Sequence, residues 1–348
     1  MLSDGAKMRN PSGPGELQIL GQIRRRASRI PADGLTLGIG DDCALIRPRR
    51  REDLAVTTDL SVAGRHFRLE WHPAETVGHR TLARGLSDLA AMGARPLAAF
   101  LSLGLPRELT RPGRGRGRTS WLDGFLDGFL ELARASKAPL AGGDLAESPI
   151  AAADIVLLGA VARGRALLRS GARPGDAIYV TGTLGGAAAG FARLARIAER
   201  GGSRRARRLR VPERPASELA RHLYPQPRLA QGQWLIRHRV ATAAIDISDG
   251  LSTDLAHICE ESGVAAEIDA EALPIHPGAS LDQAMNGGED YELLFTARES
   301  ARMPRVVAGV PVTAIGRILR RRKGGSQVTL LTARGPQALK ARGWQHFA

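Results

Sequence analysis

The sequence predicts an α/β protein of two domains with mixed sheets, and three observations predict it. At 348 residues the chain exceeds the size at which one hydrophobic core keeps growing. Short apolar runs rich in β-branched residues alternate with longer runs of helical spacing. Near residue 163 the pattern restarts, so each half carries strands, acidic and glycine-bearing turns, and helices.

Residues 1–15 are polar, contain Pro and Gly, and lack the apolar core of a signal peptide, which predicts a flexible, unexported tail. Helical spacing covers 16–28, and strand-like runs follow at 43–46 and 54–58. Val77, Leu82, Leu86, Leu89 and Met92 place a helix over 74–92. A strand at 97–103, a helix at 120–136 and strands at 140–141 and 155–160 complete a domain of residues 16–163. The second domain, 164–348, opens with a strand at 177–181 and a helix at 185–199, then meets an Arg-rich insertion near 201–215. Strands at 241–247, 265–268 and 293–296 and a helix at 251–262 follow, while Pro174-Gly175-Asp176 and Pro311 predict turns.

Composition narrows the function. The formal charge is +15, but the excess sits in arginine-rich stretches at 111–118, 204–210 and 320–323 without interleaved aromatics. Solvated loops explain these better than a nucleic-acid surface does. Two cysteines, Cys43 and Cys259, give no disulfide framework and suit a reducing cytoplasm. The longest apolar stretch, 96–105, is about half of the ~20 residues a membrane helix needs.

Against this basic background stand seven short acidic segments: Gly40-Asp41-Asp42, Thr57-Thr58-Asp59, Ser87-Asp88, Gly142-Gly143-Asp144, Asp246 to Gly250, Asp254, and Gly287-Gly288-Glu289-Asp290. Any one aspartate also suits a helix cap or a turn, and Asp88 and Asp254 fit that role. Their number at expected strand ends points to hard cations, which take oxygen ligands and bridge carboxylates to phosphates. Asp42, Asp59, Asp88, Asp144 and Asp246 meet that requirement, and Thr57 and Thr58 add oxygens. Glycines in 142–144 and 182–186 let backbone amides approach phosphate, although no P-loop is present. Arg169 is a candidate phosphate contact and His66 a candidate substrate contact. No Ser-His-Asp, Cys-His or Cys-x-x-Cys arrangement stands out by spacing.

Several longer motifs resemble the thiamine-monophosphate kinase family: Gly38-Ile-Gly-Asp-Asp42, Thr57-Thr-Asp59, Val62-Ala-Gly-Arg-His-Phe67, and Leu86-Ser-Asp-Leu-Ala-Ala-Met-Gly-Ala94. So do Gly142-Gly-Asp144, Gly164-Arg-Ala-Leu-Leu-Arg-Ser-Gly171, Asp246-Ile-Ser-Asp-Gly-Leu251 and Gly287-Gly-Glu-Asp-Tyr-Glu-Leu293. The likeness runs in order from about residue 16 to 347.

The resemblance implies the two-domain architecture of aminoimidazole ribonucleotide synthetase. Residues 16–163 would bind ATP and Mg2+ and pair their sheet with a partner's in a homodimer. It implies Asp42, Thr57, Thr58, Asp59, Asp88, Asp144, Asp246 and Asp249 as ligands of several Mg2+ ions. Gly143, Asp144, Arg169 and Ser248 would contact ATP, and His66, Glu289 and Trp344 would line a thiamine monophosphate pocket. Leu145-Ala146 stands where the family usually carries two hydroxyl residues, and Gly85 where it often carries Asn.

The implied reaction phosphorylates thiamine monophosphate with ATP. An ionised phosphate needs no general base, which suits many acids and no evident catalytic base; direct in-line transfer is expected. Another ATP-dependent enzyme of the superfamily, selenophosphate synthetase or aminoimidazole ribonucleotide synthetase, is the alternative. Cys43 follows the acidic pair and lies in no Gly-rich loop, which argues against the former. A basic nucleic-acid-binding protein is a third reading, and it would have no need of Asp42 or Asp59.

Overall fold

The computed structural model describes residues 15–30, 33–40, 43–112, 119–201 and 218–343. Asp42, Trp344, most of the expected tail and most of the arginine-rich insertion near 201–215 lie outside these residues.

In the first half, α1 (Glu16–Ala27) precedes a small ribbon of β1 (Leu35–Leu37) and β2 (Leu45–Ile46). β3 (Glu52–Val62), β4 (Arg95–Leu105), β5 (Leu140–Glu147) and β6 (Ala152–Ala162) form a four-stranded sheet in the order β3-β6-β4-β5. Helix α2 (Ala74–Ala91) connects β3 to β4, and α3 (Trp121–Ser136) makes the crossover that the parallel β4/β5 pair requires. Ser120 opens α3 with a capping box, its hydroxyl accepting from the Asp123 N–H while the Asp123 carboxylate accepts from the Ser120 N–H. Leu82, Leu86 and Leu89 of α2, Phe125 and Phe129 of α3, and Ile155 and Leu157 of β6 build the core.

The second half contains β7 (Asp176–Thr181), α4 (Gly186–Gly201), α5 (Glu218–Leu223), α6 (Leu229–His238), β8 (Ala241–Asp246), α7 (Leu251–Ser262), β9 (Val264–Asp269) and α8 (Leu281–Asn286). β10 (Leu293–Arg298), β11 (Val306–Val307), β12 (Val310–Arg320), β13 (Val328–Thr332) and β14 (Gly335–Leu339) follow. Its sheet runs β14-β13-β9-β12-β7-β10-β8, with β11 on β12, and only β13/β9 pairs in parallel. The two halves meet at a seam where Ala90 and Ala91 of α2 pack with Leu167, Leu235, Ala244, Leu293 and Phe295. Gly232 of α6 is required there, because a Cβ on it would lie 2.0 Å from the Ala90 carbonyl oxygen.

The acidic segments are not all strand-end turns. Asp59 sits within β3 and Asp144 within β5, while Asp88 and Asp254 sit within α2 and α7. Backbone ladders are indifferent to side-chain polarity, so β3 pairs with β6 along its whole length, from Glu52↔Ala162 to Val62↔Ala152. Pro311 likewise lies in β12 rather than a turn. It stands near the strand's start, opposite Val306 of the short β11, where a missing N–H is tolerated.

Candidate active site

The site forms where α2 passes beneath β3 and the end of β8. Arg84, Ser87 and Asp88 are three and four residues apart on α2 and so share a face. Asp88 Oδ2 accepts from Thr57 Oγ1 at 2.5 Å. Arg84 Nε donates to Asp59 Oδ1 at 3.0 Å, and its Nη2 lies 2.8 Å from the same oxygen. Ser87 Oγ donates to Oδ2 of Asp246, the last residue of β8, at 2.7 Å. Thr57 and Asp59 share one face of β3 by the two-residue period, and Thr58 points to the opposite, exposed face.

Two cavities open on either side of this cluster. One, of about 480 Å³, is lined by Asp59, His66, Arg84, Phe191, Ser248, Asp249 and Glu289, among others. The other, of about 290 Å³, is lined by Thr57, Arg169, Ala244 and Ile245. Asp88 and Asp246 line both. Burial raises the Asp88 carboxyl above the usual range; the Thr57 hydrogen bond opposes this and the Asp59 charge adds to it. Burial also raises Asp246, and the charge of Asp88 raises it further. Both carboxyls therefore sit where a cation would be welcomed.

The larger cavity has a rigid wall. The Asp254 carboxylate accepts from the N–H groups of Ser248, Asp249 and Gly250 at 3.1, 3.2 and 3.0 Å, fixing the loop that carries Ser248 and Asp249. Glu289 holds a left-handed φ of 68° and donates its N–H to the Ser248 carbonyl at 2.7 Å. Such a conformation costs a non-glycine residue about 1–3 kcal/mol, so the surroundings must impose it. Arg80 Nη2 donates to Glu289 Oε1 at 2.7 Å and to the His66 carbonyl at 3.3 Å. Burial pushes the Glu289 carboxyl up, but Arg80 and Arg84 outweigh it, and the group lies below its ordinary value.

Behind Arg80 runs a chain of neutral histidines. Arg80 Nη1 can only donate, so His222 Nδ1, 3.1 Å away, accepts and the proton sits on His222 Nε2. His222 Nε2 lies 3.0 Å from His72 Nε2, and His72 Nδ1 meets the Arg68 backbone, 3.1 Å from its N–H and 3.2 Å from its carbonyl. His66 Nδ1 accepts the Val62 N–H at 3.0 Å, which fixes the ring's orientation at the cavity. The Asp290 carboxylate accepts from the N–H groups of Gly185 and Ala187, closing the start of α4 beside the same cavity.

Of the residues singled out in the sequence, the structure brings Asp59, His66, Asp88, Asp246, Ser248, Asp249 and Glu289 to the larger cavity and Thr57, Asp88, Arg169 and Asp246 to the smaller. Gly143 and Asp144 line neither. Gly143 has a packing reason to be glycine: its φ is 147°, and a Cβ would fall 1.9 Å from the Leu101 carbonyl oxygen. Arg80, Arg84, Phe191, His222 and Tyr291 escaped the sequence reading. The spacing of Arg84 from Asp88, one helical turn apart, is the signal that could have found the first of these on the site. Among the described residues no three His, Cys, Asp or Glu side chains converge as a closed metal centre. The carboxylates instead line open cavities, an all-oxygen donor set of the kind that shares Mg2+ with substrate phosphates.

The family model described as AIR synthase related protein, N-terminal domain, matches residues 40–166, and its C-terminal counterpart matches residues 173–329. The chain is 39% identical to thiamine-monophosphate kinase of Escherichia coli K12 over 350 aligned positions, covering 96% of this chain and 98% of that one. It is 32% identical to the Bacillus subtilis enzyme of the same name, covering 91% and 95%. Among solved structures, thiamine-monophosphate kinase from Stenotrophomonas maltophilia K279a superposes with a TM-score of 0.70 at 38% identity, covering 89% of this chain and 94% of that one. AaThiL complexed with AMPPCP and TMP superposes at 0.69 with 28% identity, covering 99% and 100%.

Proposed function

Because the chain belongs to the thiamine-monophosphate kinase family, we propose that it transfers the γ-phosphoryl group of ATP to thiamine monophosphate, giving ADP and thiamine diphosphate. One observation carries this reading: Asp88 and Asp246 stand between two cavities and line both. A donor held on one side and an acceptor on the other would face each other across that pair. The smaller cavity, with Arg169, suits the nucleotide. The larger, with His66, Phe191 and Glu289, suits the acceptor, and Glu289 offers a carboxylate to its cationic thiazolium.

The acceptor phosphate is already an anion at neutral pH, so no side chain has to remove a proton, and direct in-line attack requires no general base. Asp59, Asp88, Asp246 and Asp249 would hold Mg2+, with Asp42, Asp144 and Thr57 as further ligands, whereas the Thr58 side chain faces the other side of β3. When bound, Mg2+ supplies charge neutralisation between two polyanions. The chain's own part is alignment: Ser87 fixes Asp246, Thr57 fixes Asp88, and Asp254 fixes the Ser248 loop. Arg169 is the proposed ATP contact within the smaller cavity, and Ser248 would reach the nucleotide's phosphates from the side of the larger one. Gly143 and Asp144 are proposed ATP contacts from outside both, and Trp344 is the remaining substrate contact.

A homodimer is part of the same proposal. α2 and α3 cover one face of the four-stranded sheet, and the other presents Leu54, Val56 and Leu60 at 49%, 60% and 51% exposure. An apolar sheet face of this kind calls for a covering partner. No described helix is long and apolar enough to cross a membrane, and the cytoplasm is the proposed location. The domain division at residue 163 belongs to the proposal too. Purified protein with ATP and Mg2+ should form ADP with thiamine monophosphate and not with free thiamine. Equal rates with and without thiamine monophosphate would refute the assignment.

A further inference from the structure

We infer that Arg84 anchors the phosphate of the acceptor, exchanging its bond to Asp59 for that phosphate when the acceptor enters. The inference rests on the kinase reading and adds to it a residue that sets the enzyme's preference for a phosphorylated acceptor.

Arg84 lies one helical turn before Asp88, so both side chains emerge on the same side of α2. Asp88 borders both cavities, whereas Arg84 borders only the larger. Arg169 borders only the smaller. Each cavity thus has its own guanidinium, on opposite sides of a shared carboxylate pair. The larger cavity also receives Arg65, but that side chain is exposed, while only 18% of the Arg84 side chain is open to solvent.

The bond to Asp59 leaves Arg84 with capacity to spare. Nε and Nη2 both address one oxygen, Asp59 Oδ1, rather than spanning two. A guanidinium has five N–H donors in a planar fork, suited to two oxygens of a phosphate. The cavity's carboxylates Asp59, Asp88, Asp246, Asp249 and Glu289 would repel an anionic acceptor, so a buried cation among them meets an electrostatic need. Glu289 already has Arg80 as its partner at 2.7 Å, which leaves Arg84 as the buried guanidinium facing the open space. Taking up the phosphate would release Asp59 to serve as an oxygen ligand.

The test compares two ligands that differ by one phosphate. Titration calorimetry of the full chain, without nucleotide or Mg2+, should show thiamine monophosphate binding more tightly than thiamine. Arg84→Gln should weaken thiamine monophosphate by roughly 10- to 100-fold, the worth of a charge-assisted bond, and leave thiamine unchanged. Arg84→Lys, which keeps a cation at the position and serves should the glutamine variant fold poorly, should retain part of the preference. If Arg84 served only as a counterion to Asp59, the ratio of the two affinities would not move in either variant, and that result overturns the inference. A wild type that phosphorylates thiamine monophosphate while Arg84→Gln keeps full affinity sinks this assignment alone. A wild type that neither binds nor phosphorylates it removes the kinase reading as well.

Discussion

Ser87 and Asp246 join the two halves of the molecule by a 2.7 Å hydrogen bond at the point where both cavities meet. Ser87 is wholly buried and Asp246 nearly so. Asp246→Asn keeps the shape and removes the charge. It should lower kcat by roughly 100-fold, as loss of one preorganised electrostatic contact does, with an unchanged circular dichroism spectrum. Ser87→Ala, which leaves the carboxylate but frees it to turn, should cost less. ADP release in a coupled assay measures both, and a fully active Asp246→Asn would exclude Asp246 from the transfer site.

Among the described residues Glu292 is the most completely enclosed acid in the second half. It accepts from Arg228 Nε and Nη2, both at 2.5 Å, from Thr181 Oγ1 at 2.6 Å and from Arg221 Nη1 at 3.2 Å. Glu292→Gln strands two guanidinium groups and should cost about 3–5 kcal/mol, visible as a lower urea midpoint. Glu292→Met combined with Arg228→Met and Arg221→Met should recover much of that loss, since an apolar cluster needs no charge compensation.

The buried histidines contribute a sensitivity to acid. Burial, reinforced by Arg80, holds His72 at about 3, and burial, against a bond to the Pro225 carbonyl, holds His79 at about 4. Unfolding returns each to about 6.5. At these two sites the unfolded chain then binds more protons, so the stability they contribute above about pH 6.5 is lost as pH falls toward 4, while the raised carboxyls of Asp246, Asp254 and Asp290 act in the opposite direction. His72→Gln should melt below the wild type at pH 8, where it breaks the His222–His72–Arg68 chain. By pH 4.5 the gap should narrow, because the variant has one fewer neutral imidazole to protect. A constant gap across that range would remove His72 as a source of the sensitivity.

The uncovered face of the four-stranded sheet sets a prediction about assembly. Leu54→Asp with Leu60→Asp should convert a sedimenting dimer into single protomers without altering secondary structure. A wild type that sediments as a monomer at micromolar concentration would dispose of the sheet-pairing proposal.

The mixed α/β class and most first-half helices were legible because apolar spacing is a local signal: 16–28, 74–92 and 120–136 lie within a residue of α1, α2 and α3. α6 and β14 were missed because glutamine and glycine, and in β14 also proline, interrupt their apolar residues, whereas β13, Val328-Thr-Leu-Leu-Thr332, carries a strand-like run that could have been found. At the site, acids in glycine-bearing motifs could be found by eye. Arg80 could not, because nothing local marks an arginine whose partners, His222 and Glu289, are 142 and 209 residues away. Thr58 shows the opposite problem: adjacency to Thr57 in sequence becomes opposition across a sheet.

The seam at Gly232 has a thermodynamic meaning. With the α6 backbone seated against Ala90 of α2, and with Ala90, Leu167, Leu235 and Phe295 in one apolar cluster, neither sheet can melt without exposing the other's surface. Two sheets with separate cores thereby become a single cooperative unit, and calorimetry should record one transition. Gly232→Ala, which forces a methyl into the space of a carbonyl, should split that endotherm in two.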